Sequence, residues 1–211
     1  MKCLTCEGSG DVVYALILRR ENCPMCGGSG MVETPPIVKF KGKHAFLSNF
    51  TLCSVEVDGI VYPSSEHAFQ AMKTLYPEDR EYIREAKTAG EAKKRGANKT
   101  RRKIVLRGDW EKIKEKMMLQ VLRAKFFQNE RLGSDLISTE DAELVEGNIW
   151  HDNFWGNCTC GGSMCCGDGE NVLGKLLMQV REDLRQHRAE FVRASYDDVF
   201  WLYDPWWVSD T

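Results

Sequence analysis

A mixed chain of the α+β class, preceded by a small cysteine-built module, is the fold the sequence predicts. Three observations carry that expectation. A hairpin pattern surrounds Asp58-Gly59, a favoured two-residue turn. Helical periodicity follows it, in residues 62–75, 110–129 and from 171 onward. Two CxxC pairs, Cys3/Cys6 and Cys23/Cys26, open the chain. The 211 residues, 43% hydrophobic and 28% charged, suffice for one good core and a small appendage. With a formal net charge of −2, whole-molecule electrostatics do not draw the chain to nucleic acid or acidic membranes, so any anion site must be local. No apolar run approaches the roughly 20 residues of a membrane helix. The opening Met-Lys-Cys-Leu-Thr-Cys does not read as a charged segment followed by an apolar one, and a soluble, cytoplasmic protein is expected.

Nine cysteines are present, and eight fall into two groups: Cys3, Cys6, Cys23, Cys26, then Cys158, Cys160, Cys165, Cys166. Without an export signal, clustered thiols point to metal rather than disulfides. Residues 1–34 hold two copies of one unit, Cys-Leu-Thr-Cys-Glu-Gly-Ser-Gly and Cys-Pro-Met-Cys-Gly-Gly-Ser-Gly, with sixteen residues between Cys6 and Cys23. That spacing suits a structural Zn²⁺ in which four thiolates close a tetrahedron and leave no position for chemistry. The units resemble the CxxCxGxG repeats of the DnaJ-type zinc domain, two in place of four. A zinc-clipped hairpin that stabilises the chain is the expectation; a surface for a protein partner is the alternative.

Thr34-Pro35-Pro36 is a stiff linker, and the main domain runs from 37 to 186. Ile37–Phe40 is predicted as a strand, Phe46–Phe50 as a turn, and Ser54–Tyr62 as the hairpin. A helix over Tyr62–Leu75, capped by Ser64 or Ser65, carries an apolar row of Ala68, Met72 and Leu75 and a polar row of Glu66, Gln70 and Lys73. That polar row aims a carboxylate, an amide and an ammonium at one place, or else faces water. A helix over 78–87 follows Pro77. Seven of the eleven residues from Lys93 to Lys103 are Lys or Arg, either a solvated face or a holder of small phosphates. The run lacks the interleaved aromatics of a nucleic-acid groove. Asp109 is the expected cap of a helix over 110–129, and a short helix is expected at 135–137 or longer. In Trp150–Asn157 large rings stand beside a carboxylate and amides, a pattern for stacking on a flat ligand or for plugging the core. The Cys158, Cys160, Cys165, Cys166 group then suits a second Zn²⁺ or free thiols. Asn171 is the expected cap of a last core helix. Residues 187–211 form an aromatic, acidic tail that folds back or docks a partner.

Several stretches line up with one family: Phe46-Leu47-Ser48-Asn49-Phe50, Tyr62-Pro63-Ser64-Ser65-Glu66-His67-Ala68-Phe69-Gln70-Ala71-Met72-Lys73, Asp109-Trp110, Ala124-Lys125-Phe126, Asp152-Asn153-Phe154-Trp155-Gly156 and Asn171-Val172-Leu173-Gly174-Lys175. Over residues 37–186 the chain resembles the NADAR, or YbiA-like, family. The resemblance implies a helix-rich α+β fold and hydrolysis of N-glycosidic bonds, without an organic cofactor. Its known substrates are ribosylamino intermediates of riboflavin biosynthesis and ADP-ribosylated guanine. Carried over by position, Glu66, Lys73 and Asp152 are the expected catalytic residues, and Trp110 and Trp155 the expected walls. Breaking a ribosyl C1′–N bond passes through an oxocarbenium-like state that needs an anion near the sugar and an acid for the leaving nitrogen. On that chemistry Asp152 stabilises the cation and Glu66, held by Lys73, carries the proton, or the two exchange roles. Trp110 and Trp155 sandwich the base or exclude water, Arg95 clamps phosphate, and Ser48, Asn49, Tyr62 and Gln70 are further substrate contacts. The expected partner is a phosphorylated nucleoside or ADP-ribosylated nucleic acid. The alternative function is a catalytically inactive, zinc-organised protein that binds ADP-ribose or a nucleotide. The cysteine group interrupts the family's closing Gly-rich loop, which bears on substrate choice.

Overall fold

The computed structural model describes residues 2–14, 19–25, 28–29, 34–165 and 169–200. At the N-terminus β1 (Asp11–Tyr14) pairs antiparallel with β2 (Arg19–Asn22), Val12 opposite Glu21. Cys3, Cys6 and Cys23 are buried together with Val12 packed against them. Gly10 adopts φ 82°, and a Cβ there would lie 2.2 Å from the carbonyl oxygen of Gly28, so the glycines of the two repeats let their backbones touch. Cys26 lies outside the described residues.

The main domain opens with a 3₁₀ turn at Gly42–Leu47, followed by β3 (Leu52–Val57) and β4 (Ile60–Ser64). Asp58 and Gly59 join them with φ of 53° and 76°, the two positive values that a hairpin turn of this length demands. The strand expected at Ile37–Phe40 is reduced to one parallel bridge, Ile37 to Leu144. The Ile37 N–H donates to Glu143 O at 2.8 Å and its carbonyl accepts from Val145 N–H at 2.9 Å. Pro35 and Pro36 have no N–H to continue the ladder upstream.

The helix expected over Tyr62–Leu75 is shorter: α1 is Ser65–Ala71, with Tyr62 and Pro63 still in β4. Ser64 is the cap, its Oγ accepting from the His67 N–H. Every residue of α1 is buried, so its polar row faces the interior and not water. Around it stand α2 (Pro77–Arg84), α3 (Ala89–Gly96), α4 (Trp110–Gln128), α5 (Glu130–Ile137) and α6 (Val172–Phe200), with a short parallel pair β5 (Gly147–Asn148) and β6 (Asn157–Cys158) between α5 and α6. The core is built from the inner faces of α1, α4 and α6 over the β3–β4 hairpin: Val55, Phe69, Met118, Leu122, Phe126, Leu173, Leu177 and Val180.

Four details depart from expectation. Asp109 does not cap α4, because its carboxylate is taken by Arg107 at 2.7 Å. Asn171 braces across the chain instead, its amide donating to Leu144 O at 2.9 Å while its Oδ1 accepts from Glu146 N–H at 3.1 Å. The helix α3, capped by Thr88 accepting from Glu91 N–H, occupies the start of the basic run, whose charge hides its helical pattern. Helix α6 continues past residue 186 to Phe200, and the aromatic residues from Trp201 onward lie outside the described residues. No helix among the described residues is long and apolar enough to cross a membrane.

Candidate active site

Glu66 stands in the first turn of α1, its backbone N–H held by Asn49 O at 3.0 Å. Only 5% of it is exposed, and burial raises its pKa, opposed by a 2.8 Å hydrogen bond from the Gln70 amide and by the charges of Lys93 and Lys73. Gln70 lies one turn on, so the helix itself supplies the contact. Lys73 follows the end of α1. Burial lowers its pKa, which Glu66 opposes, and its Nζ lies 5.6 Å from the Trp110 ring centre.

These side chains open on a cavity of about 170 Å³ whose lining includes Glu66, Gln70, Lys73, Lys93, Glu146, Asp152 and Trp155, with Ser48 and Asn49 at its edge. Larger hollows of about 730 and 410 Å³ lie elsewhere on the surface and are lined by no buried carboxylate. Two acids 86 positions apart thus meet at one cavity because the 148–157 loop folds back over α1. That loop is pinned at its base by β5 and β6. Asn148 holds its far side, donating to Asp152 O at 2.7 Å and accepting from Asp152 N–H at 3.2 Å. The Asp152 carboxylate accepts from the Trp155 N–H at 2.9 Å, which fixes its direction.

The indoles do not form the expected sandwich. Phe69 stands between them, 5.1 Å from the Trp110 ring and 5.4 Å from that of Trp155, so Trp155 lines the cavity while Trp110 packs behind Phe69. Tyr62 is 3% exposed in the core and borders a different groove, beside Cys53 and Arg84. Arg95 is turned away. Its guanidinium stacks on Tyr82 at 4.3 Å, and it bonds Glu91 and the Tyr82 carbonyl. Two residues earlier on α3, and so on a different face, Lys93 is the member of the basic run that lines the cavity.

Sequence reasoning missed Glu146. Burial first, then the nearby Asp152, pushes its pKa up to about 7, and Glu66 adds to the rise while Lys93 opposes it. In the sequence it is one of several acids between Glu140 and Glu146, and its place at the end of the apolar Leu144-Val145 pair was the available signal. Bordering the loop, His151 Nδ1 lies 3.2 Å from Cys165 Sγ and 3.5 Å from Cys160 Sγ, and these three groups with Cys158 Sγ all fall within 4.8 Å of one another. Cys166 lies outside the described residues.

A NADAR domain model matches residues 38–185. The chain is 42% identical over 137 residues to the N-glycosidase YbiA of Shigella boydii, covering 65% of this chain and 79% of that one. It is 35% identical over 141 residues to the N-glycosidase Npun_R5314 of Nostoc punctiforme, covering 65% of this chain and 84% of that one. It is 39% identical over 144 residues to the riboflavin biosynthesis protein VVA0006 of Vibrio vulnificus, there covering 68% of this chain and 36% of the other. The NMR structure of the Escherichia coli protein YbiA superposes with a TM-score of 0.62 at 37% identity, covering 75% of this chain and 90% of that one. An α+β domain with acids gathered at a small cavity, and relatives of this kind, define a hydrolase. The chain belongs to the NADAR family.

Proposed function

We propose that Glu66 and Asp152 act together on the C1′–N bond of a ribosylated base. As a member of a family whose matched relatives are named N-glycosidases, the chain is a hydrolase acting on N-glycosyl bonds. The observation that carries the finer reading is the single cavity lined by Glu66 and Asp152 together. Loss of the base leaves positive charge on the sugar, and Asp152, oriented by the Trp155 N–H, is placed to stabilise it. Glu66, whose pKa burial raises, holds a proton for the leaving nitrogen more readily than an exposed acid would. The Gln70 hydrogen bond, then Lys93 and Lys73, oppose that rise. One water then adds to C1′ and gives its proton to the Glu66 carboxylate, which regenerates the acid, while Trp155 and Phe69 keep bulk solvent out and so strengthen the charge interactions inside.

Lys93 takes the phosphate-holding role that the sequence pointed to in Arg95. Its ammonium lines the same cavity as Glu66 and Asp152, which suits a substrate carrying phosphate on the ribose, whether a phosphorylated ribosylamine or an ADP-ribosyl base. Offering both substrates to the full chain, with product release followed by mass spectrometry, tests this. Release of ribose phosphate or ADP-ribose that disappears in Glu66→Gln is expected. Saturable binding of either substrate without release would make the chain a binding protein instead.

The N-terminal cysteines are proposed as a structural Zn²⁺ site, separate from the reaction. Cys3, Cys6 and Cys23 converge within 4.8 Å, and Cys3 Sγ lies 3.7 Å from Cys23 Sγ. That is close to the sulfur–sulfur edge of about 3.8 Å that follows from four 2.3 Å Zn–S bonds in a tetrahedron. Cys26 would complete the set.

A further inference from the structure

We infer that His151, Cys158, Cys160 and Cys165 form a second, closed zinc site whose task is to hold the Asp152 loop against the cavity. Taking a Zn–N bond of about 2.05 Å and a Zn–S bond of about 2.3 Å, a tetrahedral site requires N–S edges of about 3.6 Å. The His151 Nδ1 distances of 3.2 Å to Cys165 Sγ and 3.5 Å to Cys160 Sγ fall near that edge, and all four ligand atoms lie within 4.8 Å of one another. Backbone amides already point at two of the sulfurs: His151 N–H at Cys158 Sγ and Gly162 N–H at Cys160 Sγ, each 3.4 Å. Such N–H to sulfur contacts stabilise thiolates, the form that binds metal. The Cys158-x-Cys160-x4-Cys165-Cys166 spacing alone suggested four thiols, but His151 supplies a fourth ligand before Cys166 is needed.

The consequence for the cavity comes from chain connectivity. His151 immediately precedes Asp152 and sits at φ 66°, a left-handed conformation uncommon outside glycine that His adopts more readily than most side chains. Cys158 ends β6 opposite Asn148, the residue whose amide holds the Asp152 backbone. One ion would therefore tie together both ends of the segment that presents Asp152 and Trp155. On binding, the three thiols give up their protons and the histidine stays neutral, so Zn²⁺ with three thiolates carries a net charge of −1. Four protein ligands leave no open position, so these are positioning residues and take no part in bond breaking. The effect on turnover rests on the role proposed above for Asp152; the metal count does not.

The test uses the full chain carrying Cys3→Ser and Cys6→Ser, which disables the N-terminal cluster. Native mass spectrometry should show one zinc per chain. His151→Ala and Cys165→Ser should each weaken zinc retention against a competing chelator by tenfold or more, whereas Cys166→Ser should leave it unchanged. X-ray absorption at the zinc edge should report three sulfurs and one nitrogen. His151 is exposed, so its replacement spares the core, and unchanged hydrogen-exchange protection in α4 and the first turns of α6 is the result expected. In the otherwise unmodified chain His151→Ala should lower kcat several-fold more than it raises KM, since Asp152 acts on the charged sugar. No zinc in the Cys3/Cys6 variant, undiminished zinc in His151→Ala, or loss of zinc in Cys166→Ser would each overturn the assignment.

Discussion

Glu66 has little of its surface in water, a single amide donor on one oxygen, and two ammonium groups close enough to moderate its burial. Glu66→Gln keeps the shape and the Gln70 neighbourhood but removes the transferable proton. Steady-state assay should show turnover falling by about a hundredfold or more with KM little changed. Glu146 gives a second expectation. Its folded pKa, about 7, lies above its unfolded value of 4.5, so the fold favours the neutral acid. The stability it contributes is fully present below about pH 4.5 and is lost as pH rises through 7. Glu146→Gln, neutral throughout, should flatten the urea-measured stability profile between those limits and be relatively more stable than the parent at pH 8. Period and composition marked the stretches that hold Glu66 and Asp152, and the family resemblance supplied the roles expected of them. Glu146 could not be picked out, since its perturbation comes from the fold that sets it beside Asp152.

Helices α1 and α3 approach through Gly96. A Cβ built there would lie 2.2 Å from Gln70 Oε1 and 2.8 Å from Gln70 Cβ, and the second contact has no free rotation to relieve it. Gly96→Ala should therefore push Gln70 off Glu66. The expected result is about 1–3 kcal/mol of lost stability, together with a shifted acid limb in the kcat profile, measurable by denaturation and a pH series. Lys125 is the corresponding device on α4. It is buried, its pKa is lowered by burial to about 8, and its Nζ donates to Phe46 O at 2.6 Å and Ser48 O at 2.8 Å. Lys125→Met would take the ammonium donor from Phe46 O, at about 1–3 kcal/mol, while Ser48 O keeps the Thr51 N–H at 3.2 Å, and would loosen the turn that brings Ser48 and Asn49 to the cavity. The hairpin at Asp58-Gly59 and the length of α4 were readable because turn chemistry and periodicity are local signals. The end of α1 was not, because its apolar spacing continues through Met72 and Leu75 after the hydrogen-bonded helix has stopped. For α3 the misleading signal was charge: Lys93 and Arg95 belong to one basic run, yet the helix turns one into the cavity and the other onto Tyr82.

At the scale of the molecule the chain joins a small part, metal-dependent on the zinc reading proposed above, to a part that has its own core. Among the described residues Cys3, Cys6 and Cys23 form a cluster with Val12 against it, whereas the 37–186 segment packs helices over a hairpin. Removing metal with a strong chelator should raise hydrogen exchange in β1 and β2 to near the unprotected rate while α4 and the first turns of α6 keep their protection. Uniform loss of protection would mean the two parts fold as one. The paired CxxC units pointed to the convergence of Cys3, Cys6 and Cys23, because cysteine spacing is written in sequence, whereas the nearness of His151 to the second cysteine group depends on how the 148–158 loop closes. The bridge at Ile37 has a practical consequence. The family match begins at residue 38, so trimming the chain to that boundary would cut away the one residue that clasps both Glu143 and Val145. A shortened protein that keeps Ile37 retains a fastened back edge next to Glu146; one that starts a single residue later leaves that edge unbuttoned.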